Sequence, residues 1–138
     1  MSDDTEAAVS GRVELSRTVE ASDLEPFAAL SLDDNPLHFD AEFARSSFFG
    51  QLVAPGMVGL LLLSGGVTKL MGPGNIWLGG DFKFEKPILF GDQLTAALEI
   101  ESMDRRGIAI IKASVANQRD EVVITANFKS MKARTGRR

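Results

Sequence analysis

The sequence predicts an α+β domain in which an antiparallel sheet curls around one buried helix. Three observations predict it. Residues 55–70 are apolar on nearly every helical face, the pattern of a helix enclosed by other structure. Strand-like alternation precedes that stretch once and follows it repeatedly. The later strands are separated only by short turns, which makes them antiparallel neighbours. At 138 residues the chain suits one domain, and a chain of this size removes about two-thirds of its unfolded surface from water on folding.

In chain order, Val13, Leu15 and Val19 share one face of Arg12–Ala21 against Glu14, Ser16, Thr18 and Glu20, which reads as a half-buried strand. Ser22 or Asp23 then caps a short helix carrying Phe27, Ala28 and Leu30, with Pro26 tolerated early. That helix ends near Ser31–Asp34, because Pro36 pushes Asn35 towards extended geometry. The segment Asp33–Phe49 has no clean period and reads as a polar loop followed by a short helix at about Asp40–Arg45. Pro55 or Gly56 opens the long helix, which runs to about Lys69. Its glycines, Gly59, Gly65 and Gly66, predict close backbone packing against sheet or ligand.

The remainder is strand. Ile76, Leu78, Phe82 and Phe84 share parity until Pro87 ends the run. Leu94, Ala96, Leu98 and Ile100 form the next apolar face, Ile108–Asn117 follows, and Val122, Ile124, Ala126 and Phe128 complete a three-strand meander. Residues 1–10 read as a polar leader, 11–130 as the domain and 131–138 as a basic tail.

Composition narrows the chemistry. Cysteine is absent, so disulfides and thiolate metal sites are excluded. The formal charge of -4 argues against a general nucleic-acid binder. Met1–Ser10 has neither the basic start nor the apolar run of a secretory signal, and Met57–Leu63 is too short to span a bilayer; a cytoplasmic protein is expected. One His without Cys leaves zinc catalysis without support, and no Gly spacing fits a dinucleotide or phosphate loop. No metal or cofactor is expected.

His38 is the single histidine, five residues after Asp33 in a polar loop stiffened by Pro36. A carboxylate can orient such a His or share a water with it, and His titrates near neutrality. An Asx turn accounts for Asn35 and one Asp but leaves the second Asp and the His without a role. At Pro55-Gly56-Met57 the helix start offers free N–H groups that can stabilise a developing oxyanion, although ordinary helix initiation explains the same residues. Ser64, on the helix, either serves a ligand or bonds back to a carbonyl four residues earlier.

The run Phe27-Ala-Ala-Leu-Ser-Leu-Asp-Asp-Asn-Pro-Leu-His38 resembles the signature of the MaoC-like, (R)-specific enoyl-CoA hydratases. The similarity continues through Phe49–Met57 and Phe84–Asp92. The resemblance implies a hot-dog fold, a homodimer, and action on acyl groups carried by coenzyme A or acyl carrier protein. Carried over, Asp33 and His38 orient and deprotonate the water that adds to C3 of a trans-2-enoyl thioester. Gly56 N–H holds the thioester oxygen, Asn35 braces the loop, and Ser64 lies near the acyl group. Phe39, Phe43 and Phe48 are tunnel or core candidates. A hot-dog acyl-CoA thioesterase is one alternative, but residues 56–68 lack that class's helix carboxylate. A non-catalytic acyl-thioester-binding protein is another, and it would not need the Asp–His pair.

Two positions depart from the family. Leu32 stands where a Gly usually precedes the Asp; a positive φ there would cost Leu on the order of 1 kcal/mol. Pro55 stands where a His usually precedes Gly-Met, which removes one N–H donor and leaves that of Gly56.

Overall fold

A computed structural model of the chain describes residues 11–134. The expected leader at 1–10 and the last four residues of the expected tail lie outside it. Strand β1 (Arg12–Thr18) leads through a 3-10 turn at Ala21–Asp23 into α1 (Leu24–Ser31), α2 (Pro36–Phe39) and α3 (Ala41–Arg45). The long helix α4 (Met57–Met71) follows, then β2 (Ile76–Phe84), β3 (Gln93–Met103), β4 (Ile108–Ala116) and β5 (Val122–Met131). The five strands form one sheet in the order β1-β3-β4-β5-β2, every pair antiparallel. The α+β, hot-dog arrangement read from the sequence is therefore the one observed.

Alternation explains how the sheet holds its helix. Leu94, Ala96 and Leu98 of β3 and Ile111, Ala113 and Val115 of β4 are buried on one face, and they pack with Leu63, Val67 and Leu70 of α4. Each large aliphatic side chain so buried contributes about 1.5–3 kcal/mol. The helix lies close to the sheet because two of its expected glycines face it. A Cβ at Gly59 would sit 2.4 Å from Ile124 Cδ1, and one at Gly66 2.4 Å from Leu98 Cδ1.

Four local expectations are corrected. Helix α4 is not buried all round: Met57, Leu61, Ser64 and Gly65 are exposed, leaving one side open. Strand β2 is an edge strand whose nine residues are all exposed, and its register steps from Trp77↔Ser130 to Gly79↔Lys129, so Leu78 is an extra residue and Ile76 does not share a face with Phe82 and Phe84 as read. In β5 it is Val123 rather than Val122 that is buried. The register there steps from Val115↔Ile124 to Ala116↔Val122, so Val123 is the extra residue of a bulge, which reverses side-chain parity. Finally, α1 ends at Ser31 as expected, but Pro36–Phe39, read as polar loop, forms α2 with Pro36 at its first position, where its missing N–H costs nothing.

The turn before β3 is fixed by a buried carboxylate. Asp92, 2 % exposed, accepts the Leu89 N–H at 2.9 Å through Oδ2 and Gln118 Nε2 at 3.0 Å through Oδ1. Arg119 approaches the same Oδ1 at 3.4 Å. The carboxylate thus ties the β2–β3 connection to the β4–β5 turn. Among the described residues no helix is long and apolar enough to cross a membrane.

Candidate active site

Helix α1 ends at Leu32, which adopts φ 62°, ψ 20°, the left-handed conformation that costs a Cβ-bearing residue about 1–2 kcal/mol. Its N–H bonds to the Ala28 carbonyl at 2.8 Å, the single-bond left-handed helix ending. The chain then turns outward through three side-chain acceptors on alternate residues. Ser31 Oγ accepts the Asp33 N–H at 3.0 Å, Asp33 Oδ1 accepts the Asn35 N–H at 3.1 Å, and Asn35 Oδ1 accepts the Leu37 N–H at 3.0 Å. Asn35 so caps α2, the four-residue helix that carries His38. Asp33 is exposed, and its Oδ2 makes no hydrogen bond among the described residues.

His38 is 8 % exposed, and its Nδ1 lies 2.7 Å from the Val53 carbonyl oxygen. A carbonyl can only accept, so Nδ1 donates and carries the ring proton. When the ring is neutral, this leaves Nε2 unprotonated with a free lone pair. Val53 is itself held from both sides: its N–H bonds to the Leu37 carbonyl at 3.2 Å, and the neighbouring Ala54 N–H bonds to the Ile88 carbonyl at 2.7 Å. Of the two relations open to Asp33 and His38 in the sequence, direct orientation of the ring by the carboxylate is not the one observed. The Val53 carbonyl orients the ring, and the two side chains make no hydrogen bond to each other.

Gly56 stands at the start of α4, and neither its N–H nor that of Met57 reaches a backbone acceptor among the described residues. The Phe84 ring of β2 lies against it, such that a Cβ at Gly56 would sit 2.7 Å from Phe84 Cε1. Phe84 in turn packs edge-to-face on Phe82 with centroids 5.2 Å apart. A side chain at position 56 would therefore displace the ring beside these two donors. Ser64 is exposed and lies eight residues further on, about 12 Å along the helix axis. Its hydroxyl makes no bond to the Leu60 carbonyl, so the back-bonding expectation does not hold.

Apolar clefts lie on two sides of α4. One, of about 280 Å³, is lined by Leu60, Trp77, Leu78, Phe82 and Phe128 between the helix and β2. The other, of about 400 Å³, is lined by Phe27, Leu30, Val58, Leu61 and Leu62 between α1 and α4. Phe39, Phe43 and Phe48 line neither cleft and are exposed, Phe48 at 97 %. Among the described residues they belong neither to the buried core nor to these clefts. The residues that sequence reasoning missed are Val53, which acts through a backbone carbonyl; Ser31, whose hydroxyl reads as an ordinary helix-end polar group; and Phe84, whose role depends on a close approach across the fold. Only Ser31 carried a signal, its place two residues before Asp33.

A family model described as "MaoC like domain" matches residues 5–123. An (R)-specific enoyl-CoA hydratase of Aeromonas caviae is 34% identical over 119 residues, covering 85% of this chain and 89% of that protein. Among solved structures, an (R)-hydratase from A. caviae involved in PHA biosynthesis superposes with a TM-score of 0.83 at 32% identity, covering 88% of this chain and 93% of that one. The R-hydratase PhaJ1 from Pseudomonas aeruginosa superposes with a TM-score of 0.82 at 31% identity, covering 88% of this chain and 79% of that one.

Proposed function

The chain belongs to the MaoC-like domain family, and on that premise we propose that it hydrates trans-2-enoyl thioesters, coenzyme A esters first, to (R)-3-hydroxyacyl thioesters. The observation that carries this reading is the His38 Nδ1 contact with the Val53 carbonyl at 2.7 Å. In the neutral imidazole it leaves Nε2 as the one basic nitrogen, on a ring that cannot turn without losing that bond.

In this reading a water accepts direction from the free Oδ2 of Asp33, which takes one of its hydrogens as a hydrogen bond. His38 Nε2 removes the other as the water oxygen bonds to C3. The electron pair of the C2–C3 double bond moves into the thioester, whose oxygen becomes an enolate held by the Gly56 N–H. Preorganised donors have most effect on such developing charge. C2 then takes a proton from the His38 imidazolium, the enolate collapses to the carbonyl, and both side chains regain their starting protonation. Asn35 braces the loop by capping α2, and Ser64 lies on the open side of α4 available to the acyl group. Dehydration is the same path reversed.

The test follows loss of enoyl absorbance with crotonyl-CoA and longer trans-2-enoyl-CoAs while monitoring free thiol in parallel. Enoyl loss without thiol release is expected, and His38→Ala abolishes it. Thiol release would instead identify a thioesterase, and silence in both channels would remove the reading. The carrier is assigned by repeating the assay with enoyl groups on acyl carrier protein.

The same reading includes a homodimer. The exposed β2 edge supports it, since a long strand bearing exposed Ile76, Trp77, Leu78 and Phe82 is a surface for pairing with another chain. A sedimentation mass of one chain at micromolar concentration would remove that part alone.

A further inference from the structure

We propose that Ser31 is a positioning residue for hydration, its hydroxyl setting the direction of the Asp33 carboxylate by accepting the Asp33 N–H; the inference rests on the hydratase reading above. In the commoner double-bonded helix ending, the N–H after the left-handed residue returns to a carbonyl of the last turn. Here the Asp33 N–H goes to Ser31 Oγ at 3.0 Å instead, while the Ala28 carbonyl takes only the Leu32 N–H at 2.8 Å. The Asp33 backbone is therefore steered by a side chain rather than by the helix.

What Ser31 starts, Asp33 and Asn35 continue. The bonds from Asn35 N–H to Asp33 Oδ1 at 3.1 Å and from Leu37 N–H to Asn35 Oδ1 at 3.0 Å carry the placement on to α2 and hence to His38. Asp33 is exposed and no other side chain holds it among the described residues, so the two bonds at its own N–H and Oδ1 determine which way Oδ2 points. Removal of the Ser31 acceptor frees the peptide between Leu32 and Asp33 to rotate. A misplacement of a reacting group by about 1 Å costs up to about a hundredfold in rate.

The experiment compares Ser31→Ala and Ser31→Thr with the unaltered protein on crotonyl-CoA, reading kcat and KM separately, together with amide hydrogen exchange at Asp33. Ser31→Ala is expected to lower kcat about tenfold to a hundredfold with KM changed less than about twofold, and to speed exchange at Asp33. Ser31→Thr, which keeps the hydroxyl, is expected to restore most of kcat. Ala is the better helix former, so a fall in kcat without a fall in Tm separates positioning from loss of structure. Full activity in Ser31→Ala, or an equal loss in Ser31→Thr, would overturn the proposal and leave the hydratase reading standing. An unaltered protein that hydrates no enoyl thioester would overturn both.

Discussion

Replacing Leu32 by Gly should make the protein more stable. Leu32 holds φ 62°, where a Cβ crowds the following carbonyl at a cost of about 1–2 kcal/mol. Its side chain is 86 % exposed, so removing it forfeits little burial. Against the relief stands the greater freedom of Gly in the unfolded chain, about 0.4–1 kcal/mol. The net is a gain of about 0.5–1 kcal/mol, equivalent to a rise in Tm of about 2–4 °C for a chain of this length. The assay is thermal unfolding followed by circular dichroism at one protein concentration, because association raises Tm with concentration. Leu32→Ala is the control: it keeps a Cβ in the left-handed conformation and should melt close to the unaltered protein. A Leu32→Gly protein that melts no higher than Leu32→Ala would refute the assignment of strain to this backbone angle.

Asp33→Asn and His38→Ala should each lower turnover by at least about a hundredfold with far-ultraviolet dichroism unchanged; near-normal rates in either folded variant would remove that residue from the chemistry. Gly56→Ala should fold, because the half-exposed Phe84 ring can move, but should hydrate about tenfold more slowly. Phe84→Ala in the same chain should recover part of the loss, and additive losses would show that the two positions are uncoupled. Asp92→Ala should cost about 1–3 kcal/mol in urea unfolding, since it removes the buried acceptor of the half-buried Leu89 N–H and of the Gln118 amide; a cost below about 0.5 kcal/mol would mean that water replaces the carboxylate.

The parts of the fold that were legible in the sequence are those governed by simple periods. Leu94, Ala96 and Leu98 alternate without interruption, and the apolar run of α4 is too long for a strand. Asp33 and His38 stood out because charged and imidazole groups clustered near a Pro, and their resemblance to a known signature suggested the chemistry. What escaped was local or long-range. Helix α2 is four residues, too short to show a period, and its Pro36 reads equally as a stop or a start. The bulge at Val123 inverts parity within one strand, an event that alternation cannot announce. The Val53 carbonyl belongs to every residue type alike, and it meets His38 from fifteen positions away. The shared parity read for β2 fails as it does at Val123, since Leu78 is an extra residue between Trp77 and Gly79.

The hydrogen bonds around Val53 give His38 and Asp33 different mechanical supports. His38 is aimed by a carbonyl whose neighbour, Ala54, bridges to Ile88, and the next residue, Leu89, is held by the buried Asp92. Its bearing is thus set by the connection between β2 and β3, far along the chain. Asp33 has no such frame and depends on the small turns of its own loop. The pair joins a stiff mount to a compliant one: loosening the framework at Asp92 should mis-aim His38 while leaving the Asp33 loop intact, and loosening the loop should do the reverse.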